Sequence, residues 1–167
     1  MASGTLLSVG SEGVFQKQLR AQLNKKKYLL LEVKNQGEIK ELLSENIDVV
    51  LIDTIQLGYN GISILDDIRW DYSFLPVICL VAAKNMNLSL AAMRHGAYDE
   101  IQLPCSWNNL FKTIDLAVKH KRKFARDKKK SLWKRIEDYI AAGNIADAGA
   151  TELAKKWLQE QKNKSEK

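Results

Sequence analysis

The stretch Val49-Val50-Leu51-Ile52-Asp53 decides the fold of this chain, because four consecutive apolar residues end in a single carboxylate. Three of the four are β-branched, which favours a strand that is buried on both faces. Such strands are typical of parallel sheets that helices cover on both sides. Open parallel sheets bind their ligands beyond the carboxyl ends of the strands. Asp53 is therefore the first candidate for a functional residue.

Strand and helix patterns alternate on either side of this stretch. The predicted strands cover residues 6–9, 28–33, 49–53 and 77–81, with a short one near Ile101. The predicted helices contain Val14, Leu19 and Leu23; Ile39, Leu42 and Leu43; Ile62, Leu65 and Ile68; residues 90–93; and a segment that starts near Trp107. Because parallel neighbours need crossover connections, the alternation predicts an α/β protein with a doubly wound, five-stranded parallel sheet.

Bulk composition restricts the class of protein. A length of 167 residues fits one domain with a small appendage. No apolar run is long enough to span a membrane and the first residues do not resemble a secretory signal, so we expect a cytoplasmic protein. Cys79 and Cys105 are then expected to be reduced thiols. Neither cysteine has metal-ligand spacing with His95 or His120, and we predict no metal site there.

Charge divides the chain near residue 118. Residues 1–117 carry 11 Lys/Arg against 13 Asp/Glu, whereas residues 118–167 carry 15 against 7. The strand patterns stop at the same point. We predict a domain over residues 1–120, a basic linker or helix extension over 121–131, and a helical hairpin with a frayed tail over 132–167. The hairpin could pack on its own domain or form a dimer, and the pattern does not choose between them.

Several short motifs in the first 120 residues occur in an order and spacing that one family shares. They are Leu51-Ile52-Asp53, Gly61 eight residues later, Pro76 before the fourth strand, Gly96-Ala97 after the fourth predicted helix, and Leu103-Pro104 after the fifth strand. With these motifs, residues 5–120 resemble the receiver domain of two-component response regulators, such as the chemotaxis response regulator. The resemblance implies a flavodoxin-like receiver fold with a C-terminal helical extension. It also implies that Asp53 occupies the position that accepts a phosphoryl group from a histidine kinase.

The groups that make this position reactive in receivers are replaced here. Receivers hold Mg²⁺ with two acids after the first strand, and they use a hydroxyl, a lysine and an aromatic switch residue. The corresponding positions are Gly10 and Ser11, with Glu12 next in sequence, for the acids; Val81 for the hydroxyl; Leu103 for the lysine; and Glu100 for the aromatic residue. Each electrostatic contact of this kind contributes substantially to the rate, so a pocket without them is expected to react orders of magnitude more slowly. We expect a degenerate site in which backbone N–H groups satisfy Asp53.

A receiver without these groups is similar to the pseudo-receivers, which are not enzymes and act by protein–protein contact. We therefore predict a regulatory protein of a two-component (phosphorelay) signalling or gene-regulatory system, with a protein partner or a homodimer and no cofactor. The partner face that the resemblance implies contains Leu88, Met93, Glu100 and Asn108. The alternative is a conventional response regulator that is phosphorylated on Asp53 with Mg²⁺ as its cofactor.

A dense basic segment supplies a third hypothesis. Its cations are Lys119, Lys121, Arg122, Lys123, Arg126, Lys128, Lys129, Lys130, Lys134 and Arg135. Phe124 and Trp133 lie among them and could stack on bases. A solvated helix or linker, phosphate contacts to a nucleic acid, and docking on an acidic protein each account for such a segment.

Overall fold

The computed structural model describes residues 3–10, 13–33, 36–43 and 46–141, without the side chains of residue 36 and residues 139–141. Two of the predicted site residues, Ser11 and Glu12, lie outside the described residues. Most of the predicted C-terminal hairpin, residues 142–167, also lies outside them.

A five-stranded parallel sheet forms the centre of the domain. Its strands are β1 (Gly4–Val9), β2 (Tyr28–Val33), β3 (Val49–Asp53), β4 (Val77–Ala82) and β5 (Asp99–Leu103). They lie in the order β2-β1-β3-β4-β5, and every neighbouring pair is parallel. The predicted α/β class and doubly wound sheet are confirmed. The direction of winding reverses between β1 and β3, so a crevice is expected at the carboxyl ends of these two strands.

Within the described ranges, six helices connect or follow the strands. They are α1 (Val14–Lys25), α2 (Gln36–Leu43), α3 (Thr54–Leu57), α4 (Tyr59–Asp71), α5 (Met86–Arg94) and α6 (Trp107–Ala141). The short helix α3 was not predicted, so the predicted fourth and fifth helices are α5 and α6. Residues 121–131 are helical, as part of α6. Within the described part of the chain, no helix combines the length and apolarity needed to cross a membrane.

Alternate residues of the strands face two separate cores. Leu7 and Ile52 pack with residues of α2, α4 and α5 on one face of the sheet. Leu6 and Leu51 pack with residues of α1 and α6 on the other face. A parallel sheet that is covered on both faces explains why its central strands are continuous apolar runs.

The buried face of α1 differs from the predicted one. Val14 is 76% exposed, whereas Gln16, Leu19 and Leu23 are buried. Residues 16, 19 and 23 follow the helical spacing of one face, and residue 14 lies two positions earlier, on the opposite side. A glutamine therefore occupies an inward position of α1, at the end of the helix nearest the end of β1.

The chain divides into two compact units, Met1–Arg122 and Lys123–Lys167. The first contains the sheet and its cores. In the second, the side chains of residues 123–138 on α6 are exposed, except for the partly buried Trp133 and Ile136.

Candidate functional site

Asp53 ends β3 at the carboxyl edge of the sheet and caps the helix that follows. The residue is 4% exposed. Its Oδ1 accepts hydrogen bonds from the backbone N–H groups of Ile55 at 3.1 Å and Gln56 at 3.3 Å. An aspartate that accepts from the second and third residues after it is a preferred helix N-cap. The short helix α3 is therefore started by the same side chain that occupies the acceptor position.

Gly10 leaves no room for a side chain next to Asp53. A Cβ atom built on Gly10 would lie 2.8 Å from the Cβ of Asp53. Non-bonded carbon atoms have their optimal separation at about 3.5–4.0 Å, so this contact would be strongly repulsive. A carboxylate at residue 10 thus requires the backbone after β1 to move away from β3.

Gln16 is a buried polar residue close to this site that sequence analysis missed. It is 4% exposed, and its Oε1 accepts a hydrogen bond from the hydroxyl of Ser8 at 3.2 Å. Its buried Nε2 makes no hydrogen bond of 3.5 Å or less in the described part of the chain. The same atom would lie 3.7 Å from a Cβ on Gly10. The signal in the sequence was a glutamine in helical register with Leu19 and Leu23.

Burial dominates the electrostatics of Asp53. Desolvation raises the pKa of its carboxyl above the ordinary value. The backbone N–H groups of Gln56 and Ile55 oppose that shift without cancelling it, and the side-chain amide of Gln16, which lies beyond hydrogen-bond distance, contributes less. All three opposing groups are neutral dipoles, which stabilise a carboxylate less than a bound cation does. The site is therefore unfavourable for a second negative charge.

The hydroxyl and lysine positions of receivers carry apolar side chains in this chain. Val81 is fully buried in β4, and Leu103 is partly buried at the end of β5. The hydroxyl of Thr54 donates to the carbonyl oxygen of Leu80 at 2.6 Å, so it is already engaged. None of these three residues offers a cation or an unengaged donor to an anion.

The residues described here do not fit the Mg²⁺ ion that the family resemblance implies. Mg²⁺ prefers several oxygen ligands in octahedral geometry. Across the described ranges, no three His, Cys, Asp or Glu side chains come together in a way that could hold a metal ion. The close approach of Gly10 to Asp53 also excludes a carboxylate ligand at residue 10 in this arrangement.

The predicted partner face is partly corrected. Leu88 is 2% exposed and packs in the core beneath α5, so it cannot contact a partner. Met93 is 46% exposed, Asn108 is exposed, and the neighbouring Leu90 is 49% exposed. Leu88 is buried because it lies in register with Ala92, the other buried apolar residue of this helix. Leu90 replaces Leu88 as the exposed leucine of this helix.

Glu100, at the aromatic switch position, is held by its neighbours. Its Oε2 accepts a hydrogen bond from the hydroxyl of Ser89 on α5. The side-chain amide of Gln102 donates to its Oε1 at 3.4 Å. The Glu100 side chain thus links β5 to α5, at a place where the family carries a ring that can change its orientation.

Lys121 and Arg122 of the predicted basic segment contact the residues that precede β3. Lys121 donates from Nζ to the carbonyl oxygen of Ile47, and burial lowers the pKa of this ammonium group. Arg122 forms an ion pair with Asp48 at 3.1 Å. The other eight are exposed on α6: Lys119, Lys123, Arg126, Lys128, Lys129, Lys130, Lys134 and Arg135.

Comparisons with curated proteins give partial relatives. The DNA-binding transcriptional regulator NtrC of Proteus hauseri is 32% identical over 84 residues, which are 50% of this chain and 18% of that protein. NtrC of Escherichia coli (strain K12) is 29% identical over 87 residues, which are 52% of this chain and 19% of that protein. The chain thus spans about a fifth of the length of these relatives.

Solved structures share the fold. The receiver domain of the TMAO respiratory system response regulator TorR superposes with a TM-score of 0.60 at 17% identity, over 66% of this chain and 92% of that one. NtrX from Brucella abortus superposes with a TM-score of 0.67 at 22% identity, over 78% of this chain and 29% of that one.

A sequence profile of the response regulator receiver domain matches residues 6–115, from β1 to the first part of α6. That range contains Asp53 at the end of β3 and the positions of Val81 and Leu103. On this match and on the shared topology, the chain belongs to the response regulator receiver domain family.

Proposed function

We propose that this chain is a pseudo-receiver: a non-catalytic regulatory protein that keeps the receiver fold and acts by protein–protein contact without phosphorylation of Asp53. In receivers, a metal ion, a hydroxyl donor and an ammonium group stabilise the transferred phosphoryl group. Here Gly10 offers no carboxylate to the metal ion, Val81 offers no hydroxyl, and Leu103 offers no ammonium group. Charge stabilisation is usually the largest contribution to such a transfer. Its loss leaves the fold as a scaffold for contacts.

The single observation that carries this proposal is the contact between Gly10 and Asp53. The distance of 2.8 Å from a built Cβ to the Asp53 Cβ makes the absence of a carboxylate at residue 10 a packing requirement. Restoring the acid would therefore disturb the sheet edge as well as change its charge. The buried Asp53 carboxyl, with its raised pKa, is instead engaged as the cap of α3.

The test is phosphorylation of the full chain by acetyl phosphate with Mg²⁺, read by intact-protein mass spectrometry. We expect no phosphoryl adduct in the wild type or in Asp53→Asn. A receiver domain with both acids, the hydroxyl and the lysine serves as the positive control. A Mg²⁺-dependent adduct in the wild type that disappears in Asp53→Asn would establish the alternative, a conventional response regulator.

A double variant tests whether the missing hydroxyl and ammonium group alone account for the absence of phosphorylation. Val81→Thr with Leu103→Lys supplies the hydroxyl and the ammonium group but leaves Gly10 unchanged. We expect this variant to remain unlabelled by acetyl phosphate, because the metal ligands are still missing. Labelling of the double variant would show that the contact at Gly10 is not what prevents the reaction.

The exposed apolar side chains of α5 are the surface that we propose for protein contact. Leu90 and Met93 are each about half exposed on this helix. A glutamate at either position would put a charge into an apolar interface, which is destabilising. If the chain forms a homodimer through this face, light scattering after size exclusion should show a dimer for the wild type and a monomer for Met93→Glu. A dimer in both proteins would exclude this face from the homodimer contact.

A nucleic-acid-binding regulator is the second candidate, because eight exposed cations lie on α6. The similar NtrC proteins carry DNA binding in their name, and the matched residues make up only 18% and 19% of two of them. Binding through phosphates would weaken steeply with salt. A plot of log affinity against log salt concentration would have a negative slope, close in size to the number of phosphates contacted. Fluorescence anisotropy with a labelled duplex at several salt concentrations measures that slope. Binding that is absent at low salt removes this candidate.

A further inference from the structure

An open cleft lies at the carboxyl edge of the sheet, on the side of α1 and the start of α6. Its volume is about 490 Å³. Its wall is formed by Phe15, Gln18, Ile55, Ala82, Leu103, Pro104, Cys105 and Trp107. Small-molecule sites in proteins commonly have volumes of about 300–1,000 Å³ and mostly apolar walls with few polar groups. This cleft has that size and that composition.

The wall contains two aromatic rings that stack on each other in parallel. The rings of Phe15 and Trp107 have centroids 5.9 Å apart and planes at 7° to each other. Trp107 also stacks on Phe111, with centroids 6.3 Å apart. Both ring residues of the wall are only partly buried, so part of each residue remains accessible. A wall with aromatic side chains favours a planar aromatic ligand, which gains dispersion contacts with them.

Among the residues that the structure describes, the wall carries no formal charge. Of those residues, Gln18 carries the polar side-chain amide, and the thiol of Cys105 has a pKa that burial raises above the ordinary value. Leu103 stands where receivers carry a lysine, so the wall is aliphatic at the point where the family places an ammonium group. An ionised ligand would lose hydration here without gaining a counter-charge.

We propose that this cleft binds an uncharged, planar aromatic small molecule, which contacts the side chains of Phe15, Trp107 and Leu103. The wall draws on α1, α3, the end of β4, β5 and the start of α6, so a ligand would join five segments around the Asp53 site. The binding does not depend on whether Asp53 is phosphorylated. The signal that this receiver responds to would then be a bound small molecule and not a phosphoryl group.

The test uses 2-naphthol, which is planar and uncharged at neutral pH, with the full chain labelled with ¹⁵N. We expect saturable shifts of amide resonances confined to the residues of the cleft wall. Its ionised analogue 2-naphthoate should bind at least tenfold more weakly. Absence of saturation up to the solubility limit, shifts spread over other exposed apolar residues, or equal binding of the two probes overturns the proposal.

A matched pair of variants tests the position of the ligand. Leu103→Lys places an ammonium group in the wall and should weaken 2-naphthol binding at least tenfold, whereas Leu103→Met should stay within about twofold. Unfolding midpoints of both variants are compared with the wild type to confirm folding. Asp53→Asn should bind like the wild type, which separates this result from the phosphorylation test. Equal affinity of folded Leu103→Lys and the wild type contradicts the assigned site.

Cys105 provides a second readout in the same cleft. It is partly buried, whereas Cys79 is fully buried and should not react in the folded protein. Saturating 2-naphthol should slow alkylation of Cys105 by iodoacetamide at least fivefold. An unchanged rate would show that the probe binds elsewhere. The alkylation rate is also measured without 2-naphthol at several protein concentrations. If Cys105 reacts more slowly in concentrated protein and the protection is lost on dilution, a second copy of the chain covers the cleft, and the small-molecule site is overturned.

Discussion

Arg122 on α6 binds the carboxylate of Asp48 with two guanidinium nitrogens. Its Nε lies 3.4 Å from Oδ1, and its Nη2 lies 3.1 Å from Oδ2. The same Nη2 donates to the carbonyl oxygen of Ser3 at 3.0 Å, and Asp48 also accepts from the backbone N–H of Thr5 at 3.0 Å. One arginine thus attaches α6 to the residues that begin β1 and precede β3. Arg122 is therefore a structural part of the domain.

Arg122→Ala should lower the free energy of unfolding by about 1.5–3 kcal/mol, because the Asp48 carboxylate, 9% exposed, loses a charged hydrogen-bond partner. The Arg122 side chain is 51% exposed, so we expect the lower half of that range. Urea denaturation followed by circular dichroism measures the change. Arg126→Ala, which removes an exposed cation from the same helix, should change stability by less than about 0.5 kcal/mol. Equal losses in the two variants would show that the contact with Asp48 contributes nothing.

The fold was predictable because the strands that carry it are buried on both faces. The observed bounds of β2 and β3 agree with the predicted ones, and β4 differs by one residue. Helix α3 was missed because four residues are too few for a helical period, and its start depends on the cap that Asp53 provides.

The surroundings of Asp53 were predictable only in part. The sequence places Gly10, Val81 and Leu103 at the family's positions, but it does not contain the distance between Gly10 and Asp53. That distance depends on the parallel register of β1 with β3, which pairs Val9 with Ile52. Local sequence does not specify it.

The contacts of the basic segment also could not be predicted from local sequence. Charge density along the chain groups Lys121 and Arg122 with their solvated neighbours, because both lie in a run of cations. Their partners, Ile47 and Asp48, are 74 residues earlier in the sequence. Only the packing of α6 against the sheet selects these two cations for intramolecular contacts.

Tyr28 should make stability depend on alkaline pH. Its hydroxyl donates to the carboxylate of Asp115, and burial, followed by this contact, raises the pKa of the phenol far above its ordinary value. Above about pH 10 the unfolded chain ionises this tyrosine while the folded chain keeps it protonated, so stability should fall as the pH rises. Tyr28→Phe should lose about 1 kcal/mol at neutral pH and should flatten the alkaline slope.

The measurement for Tyr28 is urea unfolding at about pH 8 and about pH 11, with spectrophotometric titration of the phenols alongside. Tyr59→Phe is the matched control, because the Tyr59 ring is 64% exposed. It should keep the slope of the wild type. A wild-type slope retained in Tyr28→Phe would assign the alkaline effect to other groups.

Asp53 should make stability depend on acidic pH in the opposite way to a salt-bridged carboxylate. Burial raises the pKa of its carboxyl, so the native state favours the protonated form. The free energy of unfolding should therefore fall as the pH rises through the pKa of the folded state and the buried carboxyl ionises. Asp53→Asn keeps an acceptor for Ile55 and Gln56 but removes the charge. It should therefore be more stable than the wild type at neutral pH, and the gain should vanish as the pH approaches the ordinary range of aspartate.

Asp53→Ala separates the charge of this residue from its capping role. It removes the charge and the acceptor together, so it should be about 1 kcal/mol less stable than Asp53→Asn. Urea denaturation of the three proteins at neutral and acidic pH measures both effects. Equal stability of the wild type and Asp53→Asn at neutral pH would mean that the N–H dipoles around the carboxylate offset its burial completely.

Gly10→Ala tests the packing argument on which the proposed function depends. The added Cβ would lie 2.8 Å from the Cβ of Asp53, so the edge between β1 and β3 has to move. We expect a loss of about 1–3 kcal/mol in the free energy of unfolding, as for other overpacked sites. Gly37→Ala on α2 is the control, because a Cβ there meets nothing within 4 Å, and it should not destabilise. If Gly10→Ala is as stable as the wild type, the backbone after β1 can retreat from Asp53, and room for a metal-binding carboxylate exists after all.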